Sequence, residues 1–115
     1  MQTQHIGRAG EDAVCNLLKQ KGCIVIQRNI RFRFGEIDIL AKSAQGTLLV
    51  VEVKTRSKVA KGRGADAITP HKRRCLQRCL GVVAQQFPEV PVRCVLAEVV
   101  PGKPIRLYHL ELGSW

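Results

Sequence analysis

Two short segments constrain this chain more than anything else in it. One reads Glu36-Ile37-Asp38-Ile39-Leu40-Ala41-Lys42, and the other Leu48-Leu49-Val50-Val51-Glu52-Val53-Lys54-Thr55-Arg56. Ala44-Gln45-Gly46 between them suits a three-residue hairpin loop, closed by Gly46 in the left-handed region. Ser43 then faces Thr47, and that one pairing sets all the others: Asp38 opposite Glu52, and Glu36 opposite Lys54. Side chains alternate along strands, so Ile37, Ile39, Ala41, Leu49, Val51 and Val53 share one apolar face, expected to be the core face. The other face takes Glu36, Asp38, Leu40 and Lys42 with Leu48, Val50, Glu52, Lys54 and Arg56. Its charges gather at one end.

The flanking sequence supplies helices and further strands. Gln4 to Lys21 predicts a helix, with Ile6, Ala9, Ala13 and Leu17 in one stripe, Val14 and Leu18 widening it, and Gly22 as the stop. Cys23 to Phe34 reads as a strand, after which Gly35 turns the chain. Thr69 caps a second helix with Pro70 at its first position, running to about Phe87 on Cys75, Leu76, Cys79, Leu80 and Val83. Val90 to Val100 and Ile105 to Leu112 close the chain as strands around a Pro101-Gly102 turn. The expected order is α-β-β-β-α-β-β, a mixed α/β sandwich. Its second helix crosses over to lay the fourth strand parallel to the third. With 115 residues there is room for one domain, spanning 1–115.

The converging carboxylates admit two readings. Opposed residues on neighbouring strands have Cβ atoms about 4.5–5.5 Å apart, so Asp38 and Glu52 repel unless a cation lies between them. Mg²⁺ (or Mn²⁺) is bound by one or two carboxylates with waters and a substrate phosphate, and Lys54 next along could orient a water or support a developing anion. The other reading is a surface ion-pair ladder, Glu36 with Lys54 and Glu52 with Arg56. Charge pattern alone leaves both open.

The chain carries a net charge of +10, which favours a polyanionic partner over a neutral metabolite. Nine cations fall between positions 54 and 78 (Lys54, Arg56, Lys58, Lys61, Arg63, Lys72, Arg73, Arg74 and Arg78), against the single acid Asp66. Arg56, Lys58, Lys61, Arg63, Lys72, Arg73 and Arg74 are expected to contact phosphates, although a solvated basic loop is the plainer alternative. Aromatics are 4 % of the chain, with no interleaved stacking pair on one strand, so a duplex-backbone binder is expected before a base-stacking reader. Five cysteines without a C-x-x-C are expected to be buried thiols in a reducing compartment. No apolar run approaches the ~18–20 residues of a membrane span, and no signal-peptide pattern opens the chain. The expected location is the cytoplasm, with no membrane partner.

Arg28-Asn29-x-Arg31 running into Gly35-Glu36-Ile37-Asp38, and then Val51-Glu52-Val53-Lys54-Thr55-Arg56, resembles the YraN-type bacterial proteins, a predicted-endonuclease group. Gly10-Glu11 and Ala67-x-Thr69-Pro70-x-Lys72 extend the likeness over roughly residues 7 to 110. That family is similar to archaeal Holliday junction resolvases and has the restriction-endonuclease-like fold with a D…ExK site. The resemblance implies a metal-dependent endonuclease acting on branched or duplex DNA. Asp38 and Glu52 would be metal ligands assisted by the Val53 carbonyl, and Lys54 the catalytic lysine. Glu11 matches an acidic first-helix position that in such nucleases can approach the metal; its plainer reading is a solvated first-turn carboxylate. One departure is visible: after Arg93 the family runs through an aromatic and an Asp, where this chain has Cys94 and Val95. Junction cutting needs two active sites, which would make the protein a homodimer. The alternative function is a nuclease-fold module that binds nucleic acid, or serves as an adaptor, without cutting.

Overall fold

The computed structural model describes residues 2–56 and 68–112, with side chains from Arg8 onward. Helix α1 (Gln2–Gln20) is followed by β1 (Ile24–Phe32), β2 (Gly35–Lys42), β3 (Leu48–Thr55), α2 (Pro70–Gln86), β4 (Val92–Val99) and β5 (Arg106–Leu110). The five strands form one sheet in chain order, antiparallel except for the parallel β3–β4 pair that α2 connects. The expected α-β-β-β-α-β-β order and mixed sheet are therefore the observed ones. Among the described residues no helix is long and apolar enough to cross a membrane.

Local chemistry explains the boundaries. Gly22 takes φ +88° after α1; its N–H donates to the Lys19 carbonyl and that of Cys23 to Leu18, a paired C-terminal cap. Thr69 caps α2 by accepting from the Lys72 N–H at 3.1 Å, and Pro70 opens the helix. The β2–β3 hairpin closes as its sequence predicts, with Gly46 at φ +92° and Ser43 N–H donating to the Thr47 carbonyl at 2.8 Å. Its ladder keeps the expected register through Ile39–Val51, Leu40–Val50, Ala41–Leu49 and Lys42–Leu48.

Four expectations need correction. The sheet is covered on both sides, so there is no single core face. Ile39, Ala41 and Val51 pack with Val14, Cys15 and Leu18 of α1, while Leu40, Leu48 and Val50 pack with Leu76, Cys79 and Val83 of α2. Ile37 joins the α2 cluster, opposite to Ile39, so the alternation of β2 breaks at Asp38. The α1 stripe is turned by about one residue: Ala9 is exposed and Gly10 is buried, because α1 lies close against β3. The first turn of the sheet is Arg33-Phe34 rather than Gly35, which instead begins β2 with its Cα close beneath Cys75 of α2. Lys58, Lys61 and Arg63 lie outside the described residues.

Candidate active site

A break in the sheet builds the site. The β1–β2 ladder runs through Arg28–Ile39 and Ile30–Ile37, leaving Asn29 and Asp38 facing each other across an unpaired step. Asn29 has φ +55° in the middle of β1. Asparagine tolerates this left-handed conformation better than most residues, though it costs roughly 1–2 kcal/mol. Asp38 has also left the β2–β3 ladder, whose last described pair is Ile39–Val51. Its side chain supplies the missing link: Oδ2 accepts the Val53 N–H at 2.8 Å. A carboxylate takes the place of a backbone carbonyl, within reach of Glu52.

Glu52 is only 8 % exposed, an unusual position for a carboxylate. Its Oε1 meets Lys72 Nζ at 3.2 Å, while its Oε2 is buried without a hydrogen-bond partner among the described residues. Burial first, and then the neighbouring Asp38 charge, push Glu52 up to about 7, with Lys72 working against them. Asp38 is also raised, by burial above all, against the pull of the Val53 N–H. Burial would lower Lys72, but the two carboxylates outweigh it and raise that group. This is a carboxylate pair held short of charge balance.

Glu11 stands behind this pair from α1. Arg28 Nη2 lies 3.4 Å from its Oε1, and Arg28 Nη1 lies 2.8 Å from Asp12. Asn29, with its amide nitrogen turned toward the carboxylates, donates to Glu11 Oε1 at 3.3 Å and to Glu36 Oε1 at 3.2 Å. Gly10 makes this approach close: a Cβ there would fall 2.4 Å from Thr55 Oγ1. The Arg-Asn pair of the sequence motif thus ties β1 to α1 and β2 around Asp38.

The ion-pair ladder expected as the plainer reading does not form. Glu52 pairs with Lys72, and Arg56 turns to Glu98, 3.3 Å away and 3 % exposed. Lys54 lies on the same side of β3 as Glu52, exposed and without an ion pair among the described residues. Arg73 donates to the Glu111 carbonyl at 2.6 Å, and Arg74 is exposed on α2. Lys72 and Asn29 are the residues whose place sequence reasoning missed. No aromatic pair is expected on one strand; Phe32 at the end of β1 stacks instead on Phe34 in the first turn, centroids 5.4 Å apart and planes 4° from parallel. Cys79 and Cys94 are buried thiols, pushed up by burial to about 11 and about 12. Among the described residues no three His, Cys, Asp or Glu side chains are arranged as a ready-made set of ligands to one metal ion.

A family model described as uncharacterised protein family UPF0102 matches residues 10–99. A UPF0102 protein of Symbiobacterium thermophilum is 38 % identical over 91 % of this chain and 90 % of its own length. One from Neisseria meningitidis is 39 % identical over 82 % of this chain and 81 % of its own. Among solved structures, the Holliday junction resolvase Hjc of Archaeoglobus fulgidus superposes with a TM-score of 0.59 at 20 % identity, over 85 % of this chain and 74 % of that one. A repair endonuclease from Pyrococcus abyssi gives 0.55 at 18 % identity, over 83 % of this chain and 39 % of that one. At these identities the structural likeness shows the fold: the sheet and helices are those of resolvases and repair endonucleases.

Proposed function

The chain belongs to the uncharacterised protein family UPF0102, and for it we propose a metal-dependent endonuclease that hydrolyses phosphodiester bonds in branched or duplex DNA. The observation that carries this reading is the Asp38–Glu52 pair, assembled at a break in the sheet with one Glu52 oxygen buried and without a partner among the described residues. Two carboxylates, assisted by the Val53 carbonyl as the family resemblance implies, are a donor set for a hard divalent cation, Mg²⁺ or Mn²⁺. Such a cation, when bound, lowers the pKa of a water and offsets charge building on a phosphate.

The remaining roles belong to the chain itself. Asp38 and Glu52 hold the cation, with Glu11 as an outer acid kept in place by Arg28 and Asn29. Lys54, free of an ion pair among the described residues, orients the attacking water or supports the developing anion. Arg56, Arg73, Arg74 and Lys72, with Lys58, Lys61 and Arg63 of the basic stretch, bind phosphates. Cutting a junction on two strands would take two copies of the site, hence a homodimer.

The test is cleavage of junction, flap and linear duplex substrates with Mg²⁺ or Mn²⁺, beside a binding measurement without metal. Wild-type cutting that is lost in Asp38→Asn and Glu52→Gln is the expected outcome. Binding without cutting of any substrate would leave the non-cutting adaptor in its place, a reading that the Lys72–Glu52 ion pair favours because it offsets the charge of the pair without metal.

A further inference from the structure

A cleft of about 770 Å³ lies between the first turn of the sheet and the outer side of α2. Arg33 and Phe34 form one wall; His71, Arg74, Cys75 and Arg78 form the other. The α2 residues fall at helical spacings of three and four, so they make one stripe. Arg33, His71, Arg74 and Arg78 are all exposed, and among the described residues no acid lines the cleft. From His71 to Arg78 the stripe runs ~10 Å along the helix axis at ~1.5 Å per residue. That length serves a few successive phosphates of a strand.

The aromatic wall separates this cleft from a plain phosphate track. Phe34 is half-buried at the tip of a turn, where polar residues are the usual choice, and it stacks on Phe32. The Arg78 guanidinium sits 5.9 Å from the Phe34 ring centre, within cation–π range. Rings and guanidinium planes beside a row of cations are the chemistry that holds unpaired nucleotides, bases stacked and phosphates paired. A continuous duplex offers no base face to such a wall. The cleft also opens towards the site: an adjoining cleft of about 440 Å³ shares Phe34, His71 and Cys75 with it and reaches Glu36 and Lys72, the partner of Glu52.

We propose that this cleft is a subsite for a single strand of DNA, so that the preferred substrate carries an unpaired arm leading away from the bond to be cut. The proposal rests on the endonuclease reading for that bond, but not for the binding itself. Anisotropy of a labelled oligothymidine, a linear duplex and a flap, measured in EDTA, reads binding without any cutting. Phe34→Ala should weaken the oligothymidine and flap by about tenfold, and the duplex by less than about twofold. Arg78→Gln should act in the same direction without removing an aromatic from the core side, and Phe34→Trp should restore binding. Equal losses on duplex and single strand, no loss in either variant, or tighter binding of a single-stranded RNA of matching length would each overturn the subsite. Duplex cutting that is intact in Phe34→Ala, with single-strand binding unchanged, would sink this proposal and spare the nuclease. Single-strand binding that depends on Phe34 in a protein that cuts nothing would do the reverse.

Discussion

Asp38 Oδ2 accepts the Val53 N–H at 2.8 Å, where a backbone carbonyl would stand in an unbroken sheet. The same carboxylate is asked to close the strand pairing and to face Glu52. Asp38→Asn keeps an oxygen that can accept the Val53 N–H, so the fold should survive while Mn²⁺ affinity and cutting fall steeply. Asp38→Ala removes the acceptor as well and should cost an additional ~1–3 kcal/mol of stability. Urea denaturation of both variants, with a Mn²⁺ titration, separates the two duties; equal stability would show that the bond carries no structural load.

Glu52 makes stability depend on pH in an unusual direction. Its value is about 7 in the folded chain against an ordinary 4.5, so the folded state keeps a proton that the unfolded chain releases between those values. The stabilisation is complete below about pH 4.5 and is lost as pH rises towards 7, on the order of 3 kcal/mol in all. Glu52→Gln has no charge to develop and should flatten this part of the profile. Matching wild-type and Glu52→Gln slopes in denaturant melts across that range would contradict the assignment.

Lys54 and Lys72 should separate by sign. Lys54→Ala is expected to leave Mn²⁺ binding nearly intact and to slow cutting, given a role with water and phosphate. Lys72→Ala removes the cation 3.2 Å from Glu52, so Mn²⁺ should bind more tightly to a more negative pair. Because Lys72 reaches solvent, the stability lost above neutral pH should be only ~1 kcal/mol. Calorimetric titration of the two variants checks both signs.

Gly10→Ala should destabilise by ~1–3 kcal/mol despite the better helix propensity of alanine, because its Cβ would meet Thr55 Oγ1 at 2.4 Å. Thr55→Ala removes that oxygen, and the remaining neighbours stand at ordinary contact distance. In the Thr55→Ala background the Gly10→Ala change should turn neutral or stabilising, a coupling measurable by thermal melts of the four proteins.

Affinity for duplex DNA should fall with salt by about 0.9 logarithmic units per phosphate contact. Neutralising Lys61 and Arg63 should flatten that slope. A slope unchanged by the double variant would mark the basic stretch as solvated surface.

The parts of this molecule written in short-range chemistry were legible in its sequence. Gly46 and Ser43 set the hairpin, Thr69-Pro70 opened α2, and the crossover required β4 to lie parallel to β3. The hairpin register pointed to Asp38 and Glu52 as neighbours, although the observed ladder ends one step earlier, at Ile39–Val51. What escaped depends on chain conformation or on distant contact. The pairing rule carries alternation through Asp38, whereas the left-handed Asn29 across from it breaks the step and sends Ile37 to the α2 side. Lys72 reaches Glu52 from the far end of a crossover, a meeting that no local pattern encodes. The rotation of α1 that buries Gly10 instead of Ala9 is set by how near β3 lies.

Asn29 leaves position 29 with an almost closed alphabet. Its left-handed backbone excludes β-branched side chains, while its amide serves two acids, Glu11 and Glu36. Glycine would satisfy the backbone and abandon both acids. Aspartate would tolerate the backbone nearly as well but set a third negative charge between them, against Asp38. Backbone geometry and charge neutrality are usually negotiated by different residues; in this strand they fall to one side chain, and a substitution there that keeps the fold still disturbs the electrostatics of the carboxylates it encloses.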